Sequence, residues 1–402
     1  METTTRPGAR PRRPAARLRL SGLAASAVLA GALCSACGGA EPPAVPPTPV
    51  AAARSITVGA NPSDVVLTAD GHWAFVTNYG SNSVSVIDTA AGTVAATIPV
   101  GEEPAHIAIA PDGKHVYVPN EGSSSVSVID TATRAVTATI GVNRIPRGVA
   151  FGRDGRRAYV TNYTANTTSV IDTSTNRVTR TIRVSQQPGA VATTPDGRRA
   201  YVVQNSDPGK VSVIDTERNS VTATIPVHDG PVGVAVAPDG EHAYLVTATG
   251  AVLVLDTDGD KVVDTIPVGG FPVRVAVSPD GKRVYSVSAT GAVSVVDPEA
   301  KTVTGTLPVG NWAEGIALTP DGRHAYVTDF ASNTVEVVDT SALQPAPPPQ
   351  PVAQDSASDP GAGAGPTDDT DDPDEDSASG ADQTQPKAGH HRHPRAEAEP
   401  HR

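Results

Sequence analysis

The segment DGRRAYVTNYTANTTSVIDT runs from Asp154 to Thr173, and its pattern recurs along the chain. It holds an Asp-Gly pair, an aromatic residue five positions after the aspartate, and a Val-Ile-Asp-Thr end. The Asp-Gly pairs recur 42, 42, 42, 43, 41 and 41 residues apart, with their aspartates at Asp70, Asp112, Asp154, Asp196, Asp239, Asp280 and Asp321. A period of about 42 residues, repeated in this way, indicates a repeat protein.

The two other markers keep the same register in every repeat. The aromatic residues are Phe75, Tyr117, Tyr159, Tyr201, Tyr244, Tyr285 and Tyr326. The Val-aliphatic-Asp units end at Asp88, Asp130, Asp172, Asp215, Asp256, Asp297 and Asp339. Each repeat contains four short β-branched runs, separated by Asp-Gly or Asn/Ser/Gly-rich turns, and shows no helical period. The pattern predicts an all-β, seven-bladed β-propeller of four-stranded antiparallel blades, with a linear solenoid as the alternative.

Two details favour a closed ring over a solenoid. The fourth strands carry prolines that suit an outer blade edge, where a strand lacks one partner: Pro99, Pro226, Pro267 and Pro308. The last repeat stops after its third strand at Thr340, whereas the segment Ser55-Ile56-Thr57-Val58-Gly59 precedes the first repeat and matches a fourth strand. We therefore expect the N-terminal strand to complete the seventh blade and to close the ring.

The segments outside the repeats differ from them in composition. Residues 1–37 carry six arginines before position 20, continue with an Ala/Leu-rich run from Leu20 to Leu33, and end in Ser35-Ala36-Cys37. This order is typical of a secretory signal peptide, and its end resembles a bacterial lipobox, although Cys34 stands where that motif usually has leucine. Lipidation of Cys37 and export are therefore predicted, with plain cleavage or an uncleaved anchor as alternatives.

Three further segments follow the leader. Residues 38–53 form a proline-rich linker, and residues 54–340 form the predicted propeller. Residues 341–402 form an acidic tail with a small histidine cluster at His390, His391 and His393, and their composition predicts disorder.

Composition excludes several functional classes. A formal net charge of −12 argues against nucleic acid as a partner, because the phosphate backbone is itself negative. The two cysteines of the chain, Cys34 and Cys37, leave the repeats without a disulfide, a thiolate metal site or an iron–sulfur cluster. We expect no cofactor and contact with the membrane only through the lipid anchor, and we expect a monomer because propellers tend to be monomeric.

The sequence Tyr159-Val160-Thr161-Asn162, followed by Ser-Val-Ile-Asp-Thr, resembles the signature of the YVTN-repeat β-propellers of secreted and cell-surface proteins of bacteria and archaea. Phe75-Val-Thr-Asn78 and Tyr326-Val-Thr-Asp329 are close variants, and the resemblance covers about residues 55–340. The family includes surface-layer and adhesion-like proteins and is similar to lactonase-type propellers. The resemblance thus implies a fold rather than one activity.

A candidate site is expected on the face where the repeats differ most, which carries the blade-to-blade loops. Just before the innermost strands, three repeats carry Asp64, His106 and Arg274 at the same repeat position. Two other repeats carry Arg147 and Glu314 at the adjacent repeat position. These groups predict a polar pocket for an anionic or carbohydrate-like ligand, with solvated residues at the channel mouth as the alternative. In an enzyme, His106, Arg274 and Asp64 would supply a general base and an oxyanion clamp for lactone hydrolysis or elimination.

The same face is predicted to present loop aromatics. These are Tyr79, Tyr163, Trp312 and Phe330. Aromatic residues next to Asn and Ser suit contact with a protein or a glycan, and Trp312 is the best single candidate in a chain with so few aromatics.

A separate stretch, Asp256-Thr-Asp258-Gly-Asp260 with Asp264, resembles the spacing of a calcium loop. Its glycine precedes the third carboxylate instead of following it, and the stretch aligns with ordinary hairpin turns of the other repeats. Calcium is therefore a minor hypothesis beside a plain turn.

The whole sequence predicts an exported, lipid-anchored and non-enzymatic propeller that binds or scaffolds at the cell envelope. Its expected partner is an envelope protein or glycan, and an anionic small molecule is a further candidate. The alternative is a lactonase-like or lyase-like enzyme that acts at the mouth of the central channel.

Overall fold

The computed structural model describes residues 54–340. The predicted signal peptide, the lipidation at Cys37, the linker and the acidic tail lie outside the described residues. Among residues 54–340, no helix is long and apolar enough to cross a membrane.

The described residues form short β-strands and one 3₁₀ turn, Tyr79–Ser81. The strands are β1 (Arg54–Thr57), β2 (Pro62–Leu67), β3 (Trp73–Asn78), β4 (Ser83–Asp88), β5 (Thr93–Pro99), β6 (Ala108–Ile109), β7 (His115–Asn120), β8 (Ser125–Asp130), β9 (Ala135–Gly141), β10 (Pro146–Phe151), β11 (Arg157–Asn162), β12 (Thr167–Asp172), β13 (Arg177–Arg183), β14 (Pro188–Thr193), β15 (Arg199–Gln204), β16 (Gly209–Asp215), β17 (Ser220–Val227), β18 (Pro231–Val236), β19 (His242–Thr247), β20 (Ala251–Asp256), β21 (Lys261–Pro267), β22 (Pro272–Val277), β23 (Val284–Ser288), β24 (Ala292–Asp297), β25 (Thr302–Pro308), β26 (Ala313–Leu318), β27 (His324–Asp329) and β28 (Thr334–Asp339).

These strands form seven four-stranded antiparallel sheets, and the prediction of a seven-bladed propeller is confirmed. Blades 1 to 6 take four consecutive strands each, from β2–β5 to β22–β25. Blade 7 consists of β26, β27 and β28 together with β1, which pairs antiparallel with β28 from Arg54 opposite Val337 to Thr57 opposite Thr334. The N-terminal strand therefore closes the ring, as its sequence predicts.

The core is divided among the contacts between neighbouring blades. The buried residues form seven clusters, and each cluster joins two consecutive blades. Between blades 1 and 2, for example, Phe75 and Val86 pack against Ile107 and Val118. The cluster that joins blade 7 to blade 1 contains Ile56 of the closing strand. Every blade thus buries apolar side chains on both of its faces, which suits its β-branched runs.

The threonine of the repeated motif ties neighbouring blades together. The Gly148 N–H donates to Thr161 Oγ1 over 2.8 Å, and this hydroxyl donates to the Gly189 carbonyl of the next blade over 2.5 Å. Thr77 makes the corresponding bonds in blade 1, and Thr328 accepts the corresponding N–H in blade 7. The hydroxyl satisfies an N–H that a bulge in the innermost strand leaves without a ladder partner.

Blade 2 departs from this arrangement because Pro119 replaces the threonine. The innermost strand of this blade pairs regularly only at Ala108–Ile109, whereas blades 4, 5 and 6, which also lack the threonine hydroxyl, keep six-residue innermost strands. The Ile107 N–H donates instead to Asp64 Oδ2 of blade 1, over 3.2 Å. This irregular stretch places His106 at the mouth of the central channel.

Candidate functional site

One face of the ring opens into an axial cavity of about 380 Å³, which we call the funnel. Its size falls in the range of small-molecule sites. Eight of the predicted site residues line it: His106, Arg147, Arg274, Glu314, Tyr79, Tyr163, Trp312 and Phe330. The ninth, Asp64, does not line the funnel and lies buried beside it.

Two positions in each blade supply most of the funnel wall. The first is the second residue of the innermost strand or its equivalent: Ser63, Ala105, Arg147, Gly189, Val232, Val273 and Glu314. The second is the residue that follows the second strand: Tyr79, Glu121, Tyr163, Asn205, Ala248, Ala289 and Phe330. At these two positions, blades 7, 1, 2 and 3 hold the charged and aromatic residues, and we call their share the charged half. At the same positions, blades 4, 5 and 6 hold small or apolar residues apart from Asn205, and we call their share the apolar half. Arg274 and Thr290 of blade 6 and Phe271 of the loop before it line the funnel from other positions.

Arg274 crosses the bottom of the funnel. It starts in blade 6, and its NH2 group lies 3.0 Å from Asp64 Oδ2 in blade 1. Its NH1 group lies 3.1 Å from His106 Nδ1 in blade 2, on the far side of the ring. Asp64 also accepts the N–H groups of Val65 and Ile107. We call Asp64, His106 and Arg274 the floor, because they join three blades across the axis.

His106 is held as a neutral imidazole. A guanidinium can only donate hydrogen bonds, so Nδ1 accepts from Arg274 and the ring proton sits on Nε2. Burial lowers the pKa of His106 well below its usual value, and the charges of Arg274 and Arg147 lower it further. The nitrogen that could take up a proton is thus already occupied.

A second ion pair lies in the wall of the charged half. Arg147 Nε lies 2.9 Å from Glu121 Oε1, and the guanidinium stacks on the Tyr163 ring with its carbon 4.1 Å from the ring centre. Burial raises the pKa of Glu121, while the charge of Arg147 opposes that rise. The NH1 and NH2 groups of Arg147 have no hydrogen-bond partner within residues 54–340, and only its Nε is fully buried. A planar fork of N–H donors is therefore open to the cavity.

Glu314 stands on the opposite side of the charged half. Burial raises its pKa to about 8, an effect that Arg274 opposes and Asp64 strengthens. A hydrogen bond from the Trp312 side chain stabilises the ionised form to a lesser extent. Near neutral pH this carboxyl group is therefore mostly protonated, and it can donate a hydrogen bond.

Three of the predicted aromatics form a continuous cluster, the aromatic arc. The ring of Phe330 lies 6.0 Å from Trp312 and 6.3 Å from Tyr79, measured between ring centres. Tyr163 is not part of the arc, because it packs under Arg147. Phe271 adds an exposed ring at the rim, with 48% of its surface accessible.

Asp329 positions the loop that carries Trp312. Its carboxylate accepts the N–H groups of Asn311 and Trp312 over 2.9 and 3.2 Å. Burial would raise the pKa of Asp329, yet these and further N–H donors outweigh it and lower the pKa. The backbone at residue 310 lies so close to the Asp329 carboxylate that a Cβ atom there would collide with it. Gly310 also has φ of +120°, a conformation that favours glycine.

The predicted calcium residues do not assemble into a site. Asp260 faces Tyr201 and Arg199 of the preceding blade, and Asp264 pairs with Lys301 of the following one. Asp256 accepts the Asp258 N–H, as in an ordinary turn. In the described part of the chain, one group has the spacing of metal ligands, and it is the exposed set Asp239, Glu241 and His242 on the opposite face.

Sequence reasoning missed Glu121, Phe271 and Asp329. Glu121 occupies the same repeat position as Tyr79 and Tyr163, so aligning the repeats at that position could have found it. Asp329 stands where the first three repeats have asparagine, and only its contacts reveal its role.

Known proteins that are similar to this chain share its propeller fold. A family model described as a YNCE-like beta-propeller matches residues 43–199. The predicted resemblance to YVTN-repeat propellers is confirmed. Hydrazine synthase of Kuenenia stuttgartiensis is a similar solved structure, with a TM-score of 0.67 and 24% identity over 76% of this chain and 100% of that one. At this identity the likeness concerns the fold alone. No curated protein matches the chain in sequence.

Proposed function

We propose that this propeller is a non-enzymatic binding module of the cell envelope and that its ligand or partner enters the funnel. The observation that carries the proposal is the funnel itself. It combines an open guanidinium fork at Arg147, a proton-bearing carboxyl group at Glu314 and an aromatic arc in one cavity of about 380 Å³. Such a combination of a few polar groups with aromatic surface is typical of sites that hold a glycan or the end of a polypeptide.

The position in the cell is a part of the same proposal. The leader pattern of residues 1–37 supports export and lipidation at Cys37, and the linker 38–53 would separate the propeller from the membrane. An envelope protein or glycan is then the partner, and the protein acts as a monomer outside the cytoplasm.

The chemistry of the floor favours binding over catalysis. A general base needs a free lone pair within reach of the substrate, but His106 Nδ1 already accepts from Arg274. Asp64 is paired with the same guanidinium and accepts two backbone N–H groups. We therefore keep the lactonase-like or lyase-like alternative as an outcome of the test.

Capture from a cell-envelope extract tests the proposal. The full chain is immobilised beside Trp312→Ala, with Trp73→Ala as the matched control, because Trp73 lies on the opposite face under Arg134. We expect one glycan or protein to be retained by the wild type and by the Trp73 variant and lost with the Trp312 variant. Equal retention by all three forms would contradict the proposal. Turnover of lactones that is lost in His106→Ala would establish the enzymatic alternative.

A further inference from the structure

The hydrogen-bonding groups around the bottom of the funnel are unbalanced. Arg147 offers four N–H donors on its terminal nitrogens, none of them bonded within the described ranges. His106 can only donate through Nε2, because Arg274 occupies its other nitrogen. Glu314 adds an O–H near neutral pH. The acceptor among these charged groups is Glu121, whose carboxylate already faces Arg147.

This imbalance selects the chemistry of a ligand. Donors that have no partner in the protein gain most from an occupant that brings acceptors into the cavity. A planar fork of N–H groups matches a carboxylate in geometry as well as in charge, because two parallel hydrogen bonds form at once. A purely hydroxylic ligand is uncharged and brings an O–H donor with every acceptor oxygen, whereas a carboxylate only accepts, so the hydroxylic ligand would satisfy the site less well.

The surroundings of Arg147 prepare it for this role. Tyr163 supports one face of the guanidinium, and Glu121 fixes its Nε edge, so the side chain loses little freedom when a ligand binds. Arg274 differs in this respect, because Asp64 and His106 take up its two terminal nitrogens. Of the two arginines at the funnel, Arg147 is the one with a free end.

We propose that the funnel takes a ligand with a carboxylate end, which the terminal N–H groups of Arg147 bind while the aromatic arc covers its ring or apolar body. This inference rests on the proposed function, since it assigns a ligand class to the same cavity. The class includes uronic acid ends of glycans and arylalkanoic acids. The apolar half of the wall, with Val232 and Val273, contacts the less polar side of such a ligand.

The two tryptophans of the chain provide a direct test. The full chain with Trp73→Phe retains Trp312 as its single tryptophan, and Trp312 borders the funnel. The probes are two matched pairs: 3-phenylpropionate with 3-phenylpropionamide, and glucuronate with glucose. We expect each acid to change the Trp312 emission saturably at a concentration at least about tenfold lower than its neutral partner, because charge-assisted bonds are the stronger ones.

A variant pair assigns the effect to one side chain. Arg147→Gln should abolish the preference for the acids, whereas Arg144→Gln should keep it, because Arg144 is exposed in the preceding loop and does not line the funnel. Unfolding midpoints of both variants show whether the fold is intact. Equal affinity for acids and neutral partners would overturn the carboxylate inference but leave the funnel as a binding site. Silence toward all four probes would overturn it as well, and capture from the envelope extract then decides separately whether the funnel binds anything.

Discussion

The two halves of the funnel share one backbone and differ in almost every side chain that faces the axis. At the same repeat positions the charged half has Arg147 and Glu314, whereas the apolar half has Val232 and Val273. The difference extends into the scaffold. The threonine that ties blades together is present in blades 1, 3 and 7, whereas blades 4, 5 and 6 have valine there: Val203, Val246 and Val287. Sevenfold repetition therefore forms the ring, and the departures from it form the charged and aromatic lining of the funnel.

The largest effect is expected from breaking the floor. Asp64→Ala leaves the Arg274 guanidinium buried without its carboxylate and should lower the free energy of unfolding by about 3–5 kcal/mol. Chemical denaturation measures this loss. The double variant Asp64→Ala, Arg274→Met should be more stable than the single one, since it removes the uncompensated charge. If the double variant were as unstable as Asp64→Ala, the ion pair with Arg274 would not be the source of the stability that Asp64 contributes.

Removing an inter-blade threonine should cost less. Thr161→Val keeps the shape but leaves the Gly148 N–H and the Gly189 carbonyl without their bonds, and should destabilise the protein by about 1–3 kcal/mol. Thr164→Val is the matched control, because Thr164 is exposed in a loop. Equal unfolding midpoints for the two variants would mean that the hydroxyl has no special role.

A pH-dependent effect is expected at Glu314, which faces Arg274, Asp64, Glu121 and Trp312. Its pKa rises from 4.5 to about 8 on folding, so the folded state binds more protons than the unfolded state between these values. Stability from this residue therefore falls as pH rises through that window. Glu314→Gln removes the titration, and its free energy of unfolding at pH 8.5 should exceed that of the wild type by up to about 4–5 kcal/mol, with little difference near pH 4.5. Denaturation curves at both pH values check this, and a difference that is the same at both would contradict it.

The smallest effect is expected when blade 2 is made like blades 1 and 3, which carry threonine at this position. Pro119→Thr restores the hydroxyl that could accept the His106 N–H, and should raise the unfolding free energy by up to about 1 kcal/mol. Thermal unfolding measures the change. A loss of stability would show that a hydroxyl at position 119 does not stabilise the irregular strand at Ala108–Ile109.

The sequence allowed the ring, its closing strand and the face that carries the funnel to be predicted, because spacing and strand pattern depend on local chemistry. Eight residues that line the funnel could also be predicted, since they are the departures from a regular repeat. The bonds among them could not. Arg274 and His106 lie 168 residues apart and meet only because blades 6 and 2 face each other across the axis. The partnership of Glu121 with Arg147 likewise depends on how two neighbouring blades are packed.

The proposed function requires that binding takes place in the funnel rather than elsewhere on the propeller. Two single-tryptophan forms test it most directly, since Trp312 of the Trp73→Phe form borders the funnel and Trp73 of the Trp312→Phe form lies on the opposite face. Both are titrated with the component that the wild type captures from the envelope extract. If the partner enters the funnel, the Trp312 emission changes saturably and the Trp73 emission stays constant. A change in Trp73 with a constant Trp312 would contradict it.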